Sequence, residues 1–330
     1  MKKLWHIYHH EIPQFIKEFA LTSPMQRLKD VGMNCGCEYT NFNYFTMKEE
    51  YSRYDHSIGV ALIVWHFTGD KAQSIAGLLH DISTPVFAHV IDFLNEDYIK
   101  QESTEGDTKE IIEKSIEIQS LLKKYQLTTE DVCDYHIYPI ADNHSPKLSA
   151  DRLEYTLGNL YNYGFCDLDY IQKFYNNLVV DKNEDNDREI VFKDMSIANE
   201  FSLYAFQTFE IYVADEDRFS MQALADIMKF AIKNHIMTKH DLYKGEKEII
   251  NILENNEKTR ELWKQFTMYS TIQTSENKPE SGYWLKINAK KRYIDPYVKE
   301  TGRISVLSKE VNDRIKQFNQ KDFHYWISGK

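Results

Sequence analysis

The chain has 330 residues, 42% of them hydrophobic, and a formal net charge of −11. This length is enough for one large or two medium domains with a buried core. The acidic charge argues against duplex nucleic acid as the main partner, because phosphate binding draws on a basic surface. A small anionic ligand stays open, since local cations or a bound metal can outweigh the global charge.

Targeting signals and cysteine chemistry are sparse in this sequence. No apolar run approaches the length of about 18 residues that a membrane span needs, and the start Met1-Lys-Lys-Leu-Trp5 lacks a following signal-peptide core. We therefore expect a cytoplasmic protein. The four cysteines lack zinc-site spacing and are expected to be reduced, structural thiols; they are Cys35, Cys37, Cys133 and Cys166.

Apolar periodicity predicts helices through the first half of the chain. Ser23-Pro24 starts a new helical segment, Pro85 stops another, and Ser149 is a helix N-cap. The predicted helices cover 11–33, 57–67, 72–82, 86–99 and 110–125, with two more that begin at Thr128 and at Ser149.

The second half adds a few strands. Two β-branched runs around a polar turn predict a hairpin over 180–193. The remaining predictions are helices over about 195–214, 216–236 and 244–262, and strands at 283–287, 292–296 and 303–307. We therefore predict a mainly α fold, with a helical core over 1–243 and a C-terminal α+β portion over 244–330 packed on it.

An Arg, several His and a His-Asp pair crowd into about forty residues. His56 begins one apolar helix, His80 and Asp81 end the next, and Asp151 lies in the first turn of a third. A buried Asp needs a cation or hydrogen-bond donors to stay ionised, and imidazole with carboxylate binds divalent transition metals well. A single His is more commonly structural, so the metal hypothesis depends on the fold bringing these helix ends together.

Five motifs together are typical of one protein superfamily. The segments Arg-Tyr-Asp-His-Ser-Ile-Gly-Val at 53–60 and Leu-Leu-His-Asp at 78–81 resemble the HD-domain metal-dependent phosphohydrolases. The chain is most similar to their deoxynucleoside triphosphate triphosphohydrolase branch, through Ser-Pro-Met-Gln-Arg-Leu at 23–28, Ala-Asp-Arg-Leu-Glu-Tyr at 150–155 and Lys-Arg-Tyr-Ile-Asp-Pro at 291–296. The resemblance spans roughly residues 20–300 and implies a helical HD-domain bundle with a small hairpin.

The resemblance also implies a set of ligands for one or two divalent ions. Such a set leaves open positions for water and phosphate, as in catalytic rather than structural sites. It does not separate Mg, Mn, Fe, Co, Ni and Zn. The implied metal ligands are His56, His80, Asp81 and Asp151.

Further roles follow from the same resemblance. Arg53 matches a phosphate-contacting Arg, and a guanidinium is suited to clamp an anion. Tyr155 matches a Tyr that contacts sugar and phosphate. His89 is expected to be the catalytic acid for the leaving oxygen, with Asp81 as the other catalytic residue. The remaining histidines, among them His136, are expected to be core or surface residues.

The sequence also departs from the branch. Thr84 stands where the branch has a His, Asn159 stands where it has an Asp, and the later His-Glu pair is replaced by Thr104-Glu105 without a His. These changes reduce the number of groups that the resemblance implies for binding a triphosphate. They leave two alternatives open: a degenerate HD module that senses a nucleotide without turnover, and a phosphodiesterase of cyclic dinucleotides or nucleic-acid ends.

From these residues we predict an HD-superfamily phosphohydrolase that uses a metal-activated water. Its expected substrate is a small phosphorylated molecule, and a nucleotide fits best. A homo-oligomer is left open.

Overall fold

The computed structural model describes residues 1–95 and 107–330. Thr104-Glu105, the position of the replaced His-Glu pair, lies outside the described residues. Within the described ranges, no helix combines the length and the apolar character needed to cross a membrane.

The described part of the chain contains sixteen α-helices and six short strands. The helices are α1 Lys2–Tyr8, α2 Gln14–Ala20, α3 Ser23–Arg27, α4 Arg53–Thr68, α5 Lys71–Leu79, α6 Val90–Leu94, α7 Thr108–Lys114, α8 Ile116–Tyr125, α9 Ala150–Asn162, α10 Leu168–Asn176, α11 Met195–Ile211, α12 Asp215–Lys233, α13 Glu246–Asn255, α14 Arg260–Met268, α15 Ile304–Leu307 and α16 Lys309–Asn319. The strands are β1 Leu178–Lys182, β2 Arg188–Phe192, β3 Ile272–Ser275, β4 Tyr297–Val298, β5 Gly302–Arg303 and β6 Trp326–Gly329.

Helix α4 is the centre of the helical core, and α1, α5 and α9 pack against it. Ser52 and Asp55 form a capping box at its start, and Gly69 ends it with a φ of 62°. Most of its length is buried. Gly77 lets α5 approach closely, because a Cβ at this position would lie 3.1 Å from Val60 Cγ1. The two helices that carry His56 and His80 are therefore fixed against each other.

A small mixed sheet joins the two halves of the chain. Strands β1 and β2 form an antiparallel hairpin with Leu178 opposite Phe192. Strand β4 pairs with β2 in parallel, with Val298 opposite Phe192, and β5 pairs antiparallel with β4. Strands β3 and β6 form a separate antiparallel pair. The C-terminal portion thus extends the sheet of the hairpin, and the division at residue 243 stays a prediction.

The predicted mainly α architecture with a small C-terminal strand portion is confirmed. The hairpin is present, and the helix after Ser149 begins where its cap predicts, with Ser149 Oγ accepting a hydrogen bond from the Arg152 backbone N–H. The hairpin and the helix after Ser149, which have strong local sequence signals, were therefore predicted correctly.

Several predicted N-terminal helices are wrong in extent. In 11–33 the second helix begins at Ser23 as predicted, but the two helices cover only Gln14–Ala20 and Ser23–Arg27, and 110–125 divides at Ser115. Within 86–95 only Val90–Leu94 is helical, because Phe87 and Ala88 adopt φ values of 57° and 45° that an α-helix does not allow; 96–99 lies outside the described residues. No helix begins at Thr128: its backbone N–H and hydroxyl both donate to the Asp131 carboxylate, as at a helix start, but only a turn follows.

The C-terminal strand predictions are also wrong in position. Residues 304–307 are helical, 292–296 has no regular structure, and in 283–287 Leu285 forms an isolated bridge with Ile327. The observed C-terminal strands lie elsewhere: β3 pairs with β6, and β4 and β5 extend the sheet of the hairpin. Short apolar runs fit either a strand or a buried helical turn, and tertiary packing decides between them.

Candidate metal centre and cavity

Three helix ends meet at one point in the core. His56 lies near the start of α4, His80 is the C-cap of α5, and Asp151 is in the first turn of α9. His56 Nε2 is 3.0 Å from Asp151 Oδ1, and His80 Nε2 is 3.7 Å from the same oxygen. These three ligand atoms all lie within 4.8 Å of one another. The fold therefore gathers groups that are far apart in the sequence.

The two imidazoles are held in one orientation by their other ring nitrogens. His80 Nδ1 donates to the Gly77 carbonyl at 2.7 Å, and because a carbonyl only accepts, this nitrogen carries the proton. His56 Nδ1 donates to Glu154 Oε2 at 2.6 Å. Both Nε2 atoms consequently face Asp151. Two imidazole nitrogens, each on a ring held by a buried acceptor, and a carboxylate oxygen fit a divalent metal ion.

Asp81 lies beside this group. Its Oδ2 is 3.5 Å from His80 Nε2 and 4.0 Å from His56 Nε2, and it accepts a hydrogen bond from Arg53 Nη1 at 3.2 Å. Thr84 Oγ1 donates to the other oxygen at 2.7 Å. Burial opposes ionisation, but the charges of Arg53 and His80 hold the pKa of Asp81 well below its usual range. The carboxylate is thus ionised, with Oδ2 directed at the imidazoles.

A proton on His56 balances negative charge on its acidic neighbours in the centre. Burial lowers the pKa of His56, but hydrogen bonds with Asp151 and Glu154 outweigh it and raise this pKa to about 10. Burial likewise raises the pKa of Asp151, and the hydrogen bond with His56 lowers it to about 2. A divalent ion held by His56 would need an unprotonated Nε2, so its binding would release this proton.

Glu154 and Tyr51 support the centre, and the sequence analysis did not assign them. Glu154 is fully buried, and its Oε2 also accepts a hydrogen bond from Tyr51 Oη. Gly59 provides the space, because a Cβ there would lie 2.5 Å from Glu154 Cγ. The spacing held a signal: Glu154 follows Asp151 by three residues and so lies near it on one face of α9.

The centre lies in the wall of a cavity of about 570 Å³, a size typical of small-molecule sites. All of the site residues expected from the sequence line this cavity. So do several that were not expected. The full set of residues expected from the sequence is Arg53, His56, His80, Asp81, His89, Asp151 and Tyr155; the unexpected ones include Asn34, Cys35, Tyr135, His136, Asp142, Tyr163, Tyr212, Asp217, Met221, Lys290, Arg292 and Tyr293.

His89 is a neutral side chain in the free protein. It precedes α6, and its Nδ1 is 2.9 Å from Asp92 Oδ2. Burial lowers the pKa of His89 to about 4, although Asp92 raises it. The positive φ values of Phe87 and Ala88 turn the chain so that His89 reaches the cavity.

Two departures from the triphosphohydrolase pattern have different surroundings. Thr84 is fully buried, does not line the cavity, and supports Asp81 through its hydroxyl. Asn159 lines the cavity, and its Nδ2 donates to Tyr212 Oη at 2.7 Å. His136, expected as a core or surface residue, is half exposed and also lines the cavity, with Nε2 at 3.5 Å from Asp142 Oδ2.

Comparison with known sequences gives two relatives and no matching protein-family model. The chain is 29% identical over 292 residues to the uncharacterized protein YdhJ of Bacillus subtilis, which covers 88% of this chain and 85% of that protein. It is 25% identical over 165 residues to a metal-dependent phosphohydrolase of Cordyceps militaris, which covers 49% of this chain and 45% of that protein.

Two solved structures share the fold over nearly the whole chain. A hypothetical protein from Aquifex aeolicus has a TM-score of 0.66 and 18% identity, with 96% of this chain and 92% of that chain covered. A phosphohydrolase from Bacteroides thetaiotaomicron has a TM-score of 0.65 and 14% identity, with 97% and 96% covered. Fold and site together define a mainly helical, HD-like protein with a buried His/Asp cluster open to a cavity.

Proposed function

We propose that this protein is a metal-dependent phosphohydrolase of the HD superfamily that acts on a nucleotide or a related phosphoester or phosphoanhydride. The observation that carries the proposal is the convergence of His56 Nε2, His80 Nε2 and Asp151 Oδ1 at the wall of a cavity that Arg53 also lines. The name of the partial Cordyceps militaris relative supports it. The name of the Bacteroides thetaiotaomicron structure agrees with it.

In this proposal, His56, His80, Asp81 and Asp151 hold the metal. A divalent ion in such a site supplies Lewis-acid polarisation of a phosphoryl oxygen and lowers the pKa of water. Asp81 has a second role, because its Oδ2 is shared between the imidazoles and Arg53. It therefore links the ion site to the group that holds the phosphate.

Arg53 is assigned to the phosphate. Its Nη1 donates to Asp81, and its buried Nε has no hydrogen-bond partner within residues 1–95 and 107–330. A buried guanidinium keeps its charge, and charged hydrogen bonds to phosphate are strong and directional. Arg53 would thus bind phosphate oxygens beside the metal ligands.

His89 and Tyr155 are assigned to the leaving group and the body of the substrate. Because the pKa of His89 is lowered to about 4, it carries no proton in the free protein at neutral pH. A phosphate group bound in the cavity would raise that pKa, so that His89 takes up a proton with the substrate and gives it to the leaving oxygen. Tyr155 lines the cavity four residues beyond Asp151 on α9 and would contact the sugar or phosphate.

The test is a screen of nucleotides and simpler phosphate esters with each of Mg, Mn, Fe, Co, Ni and Zn. Orthophosphate, pyrophosphate and inorganic triphosphate are measured separately. Release of triphosphate from deoxynucleoside triphosphates would assign the protein to the triphosphohydrolase branch, and orthophosphate from monophosphates would make it a phosphatase. Absence of turnover with every metal contradicts the proposal.

A second candidate is a nucleotide sensor without turnover. It is favoured by Thr84, which is closed off from the cavity and so presents no imidazole to a phosphate chain. Tight nucleotide binding without any product in the same screen would establish the sensor.

A further inference from the structure

Two buried oxygen atoms in the cavity have no hydrogen-bond partner in the described part of the chain. One is Asp217 Oδ2, from the first turn of α12, and the other is Asn159 Oδ1, from α9. Asn159 is 6% exposed, and its Nδ2 donates to Tyr212 Oη. Buried acceptors without a partner destabilise a folded protein and are rare in native structures. A ligand that supplies donors explains both.

These acceptors lie away from the metal ligands along α9. Asp151, Tyr155 and Asn159 follow one another at four-residue intervals on one face of that helix, and all three line the cavity. Asn159 lies eight positions beyond Asp151, which is about 12 Å along the helix axis. The cavity therefore runs along α9 from the end lined by Asp151, called the metal-ligand end, to the end lined by Asn159, called the distal end.

Aromatic rings form the distal end. The Tyr212 ring lies 6.4 Å from the Tyr155 ring, edge to face, and its hydroxyl accepts from Asn159. Tyr163, one further turn along α9, has a pKa raised by burial and also by the nearby carboxylate of Asp217. Asp217 thus belongs with Tyr163 and Asn159 to the distal end, among rings that can stack on a flat ligand group.

We infer that the distal end binds the uncharged part of the substrate, and that Asp217 together with Asn159 selects substrates whose distal group donates hydrogen bonds. This inference rests on the proposed phosphohydrolase function. The donors can come from an amino group on a nucleobase or from the hydroxyls of a sugar. The distance from Asp151 and the surrounding rings favour an amino-bearing base, because in a nucleotide the base lies farther from the phosphate than the sugar does.

The form of Asp217 suits this role. Burial raises the pKa of this carboxyl to about 8, although Arg218 and Arg292 lower it. Near neutral pH the group is largely uncharged, so it does not require a cation as its partner. Asp217 lies in the first turn of α12. Glu216 shares that position in α12 but does not line the cavity, and it is therefore the matched control.

The experiment compares two pairs of nucleoside monophosphates with wild type, Asp217→Asn, Asp217→Leu and Glu216→Gln. The first pair, adenosine monophosphate and purine riboside monophosphate, differs only in the amino group on C6 of the base, which the second lacks. The second pair differs by the 2′-hydroxyl of the ribose. A site built around donors discriminates against a partner that lacks them by at least about tenfold. We expect wild type and Glu216→Gln to prefer the adenosine member by this factor in kcat/KM, and both Asp217 variants to lose the preference.

A preference in the ribose pair that both Asp217 variants lose would place the donors on the sugar and would also support the inference. Equal kcat/KM within each pair in wild type, or unchanged ratios in the Asp217 variants, would overturn it. Asp217→Asn keeps the side-chain size, so it carries the test if Asp217→Leu does not fold.

Binding of the unphosphorylated nucleosides separates this inference from the proposed function. Calorimetry of adenosine and purine riboside with the purified protein needs no hydrolysis and no phosphate. If no phosphate ester is hydrolysed but Asp217→Asn weakens adenosine binding by about tenfold, the hydrolase proposal fails and the distal site stands. If esters are hydrolysed and adenosine binding is the same in Asp217→Asn and wild type, the distal site alone is refuted.

Discussion

The two ends of the cavity differ in how the oxygen atoms that line them are paired. Arg53 Nε lies at the metal-ligand end and has no partner among the described residues, but the oxygen atoms that face the imidazoles there are paired. At the metal-ligand end, His56 and His80 each have a buried partner on Nδ1, and Asp81 accepts from both Thr84 and Arg53. At the distal end, Asn159 Oδ1 and Asp217 Oδ2 have no hydrogen-bond partner among the described residues. Chemistry requires groups that are oriented before the substrate arrives. Selection of a substrate can instead depend on groups that only the correct ligand satisfies.

Removing a proposed ligand should give the largest effect. We expect Asp81→Ala to lose metal affinity by at least about 100-fold, and turnover with it, because Asp151 would then be the one proposed carboxylate ligand left beside the two imidazoles. Metal content by elemental analysis and helicity by circular dichroism check this.

Asp142→Asn is the control, since Asp142 lines the cavity but lies outside the His56, His80 and Asp151 group. Full metal content in Asp81→Ala would remove it from the ligand set.

Arg53→Ala should affect the substrate and spare the metal. Loss of a charged phosphate contact costs about 2–4 kcal/mol, or about 30- to 1,000-fold in kcat/KM. Metal affinity should be kept or increased, because Asp81 then loses its cationic partner at 3.2 Å. Arg53→Lys retains the charge and should recover part of the rate. A change of less than about twofold for every substrate would show that Arg53 does not bind phosphate.

Glu154→Gln tests whether the metal-ligand end depends on its buried support. The amide accepts less strongly from His56 Nδ1, so we expect metal affinity to fall about 10- to 100-fold. The ¹⁵N shifts of His56 should report a changed balance between the two ring protonation forms, which a general loss of stability would not produce. Tyr51→Phe removes the other donor to Glu154 and should have a smaller effect in the same direction. Unaltered shifts and affinity would leave Glu154 a packing residue.

A substitution at the distal end should increase the stability of the protein, whereas those at the metal-ligand end should weaken metal or substrate binding. The folded pKa of Asp217, about 8, exceeds the usual value of 3.8. Its contribution is therefore fully present below pH 3.8 and is lost as the pH rises toward 8, because the unfolded chain ionises first. We expect Asp217→Asn to gain about 1–2 kcal/mol in unfolding free energy relative to wild type between pH 5 and pH 8. The unfolding free energies of both proteins can be measured by denaturant titration at each pH. If they changed with pH in parallel, this expectation would be contradicted.

Thr84→Val should have the smallest effect. The change keeps the buried volume but removes the hydrogen bond to Asp81 Oδ1, which contributes about 1 kcal/mol. Metal affinity should fall only a fewfold, with the fold unchanged. Thr84→Ser, which keeps the hydroxyl, should match wild type in a chelator competition. Equal affinity in Thr84→Val and Thr84→Ser would mean that this hydroxyl does not orient Asp81.

Strong local signals determined much of the fold. The cap at Ser149, the continuous apolar helices around His56 and His80, and the polar turn of the hairpin act within one or two turns of chain. Their elements could therefore be predicted from the sequence. The chain between Phe87 and His89 could not, because its left-handed conformation is imposed by surrounding structure rather than by glycine.

The sequence by itself determined the mainly helical class and the residue types suited to bind a metal and a phosphate. Only the tertiary structure placed those residues in one cavity, because their helices are separated by many turns of chain. It alone showed that Glu154 supports His56 across 98 positions, and that Asp217 and Asn159 leave acceptors open at the far end. Neighbours along a chain follow from local geometry, whereas partners across a core are decided by the packing of whole elements.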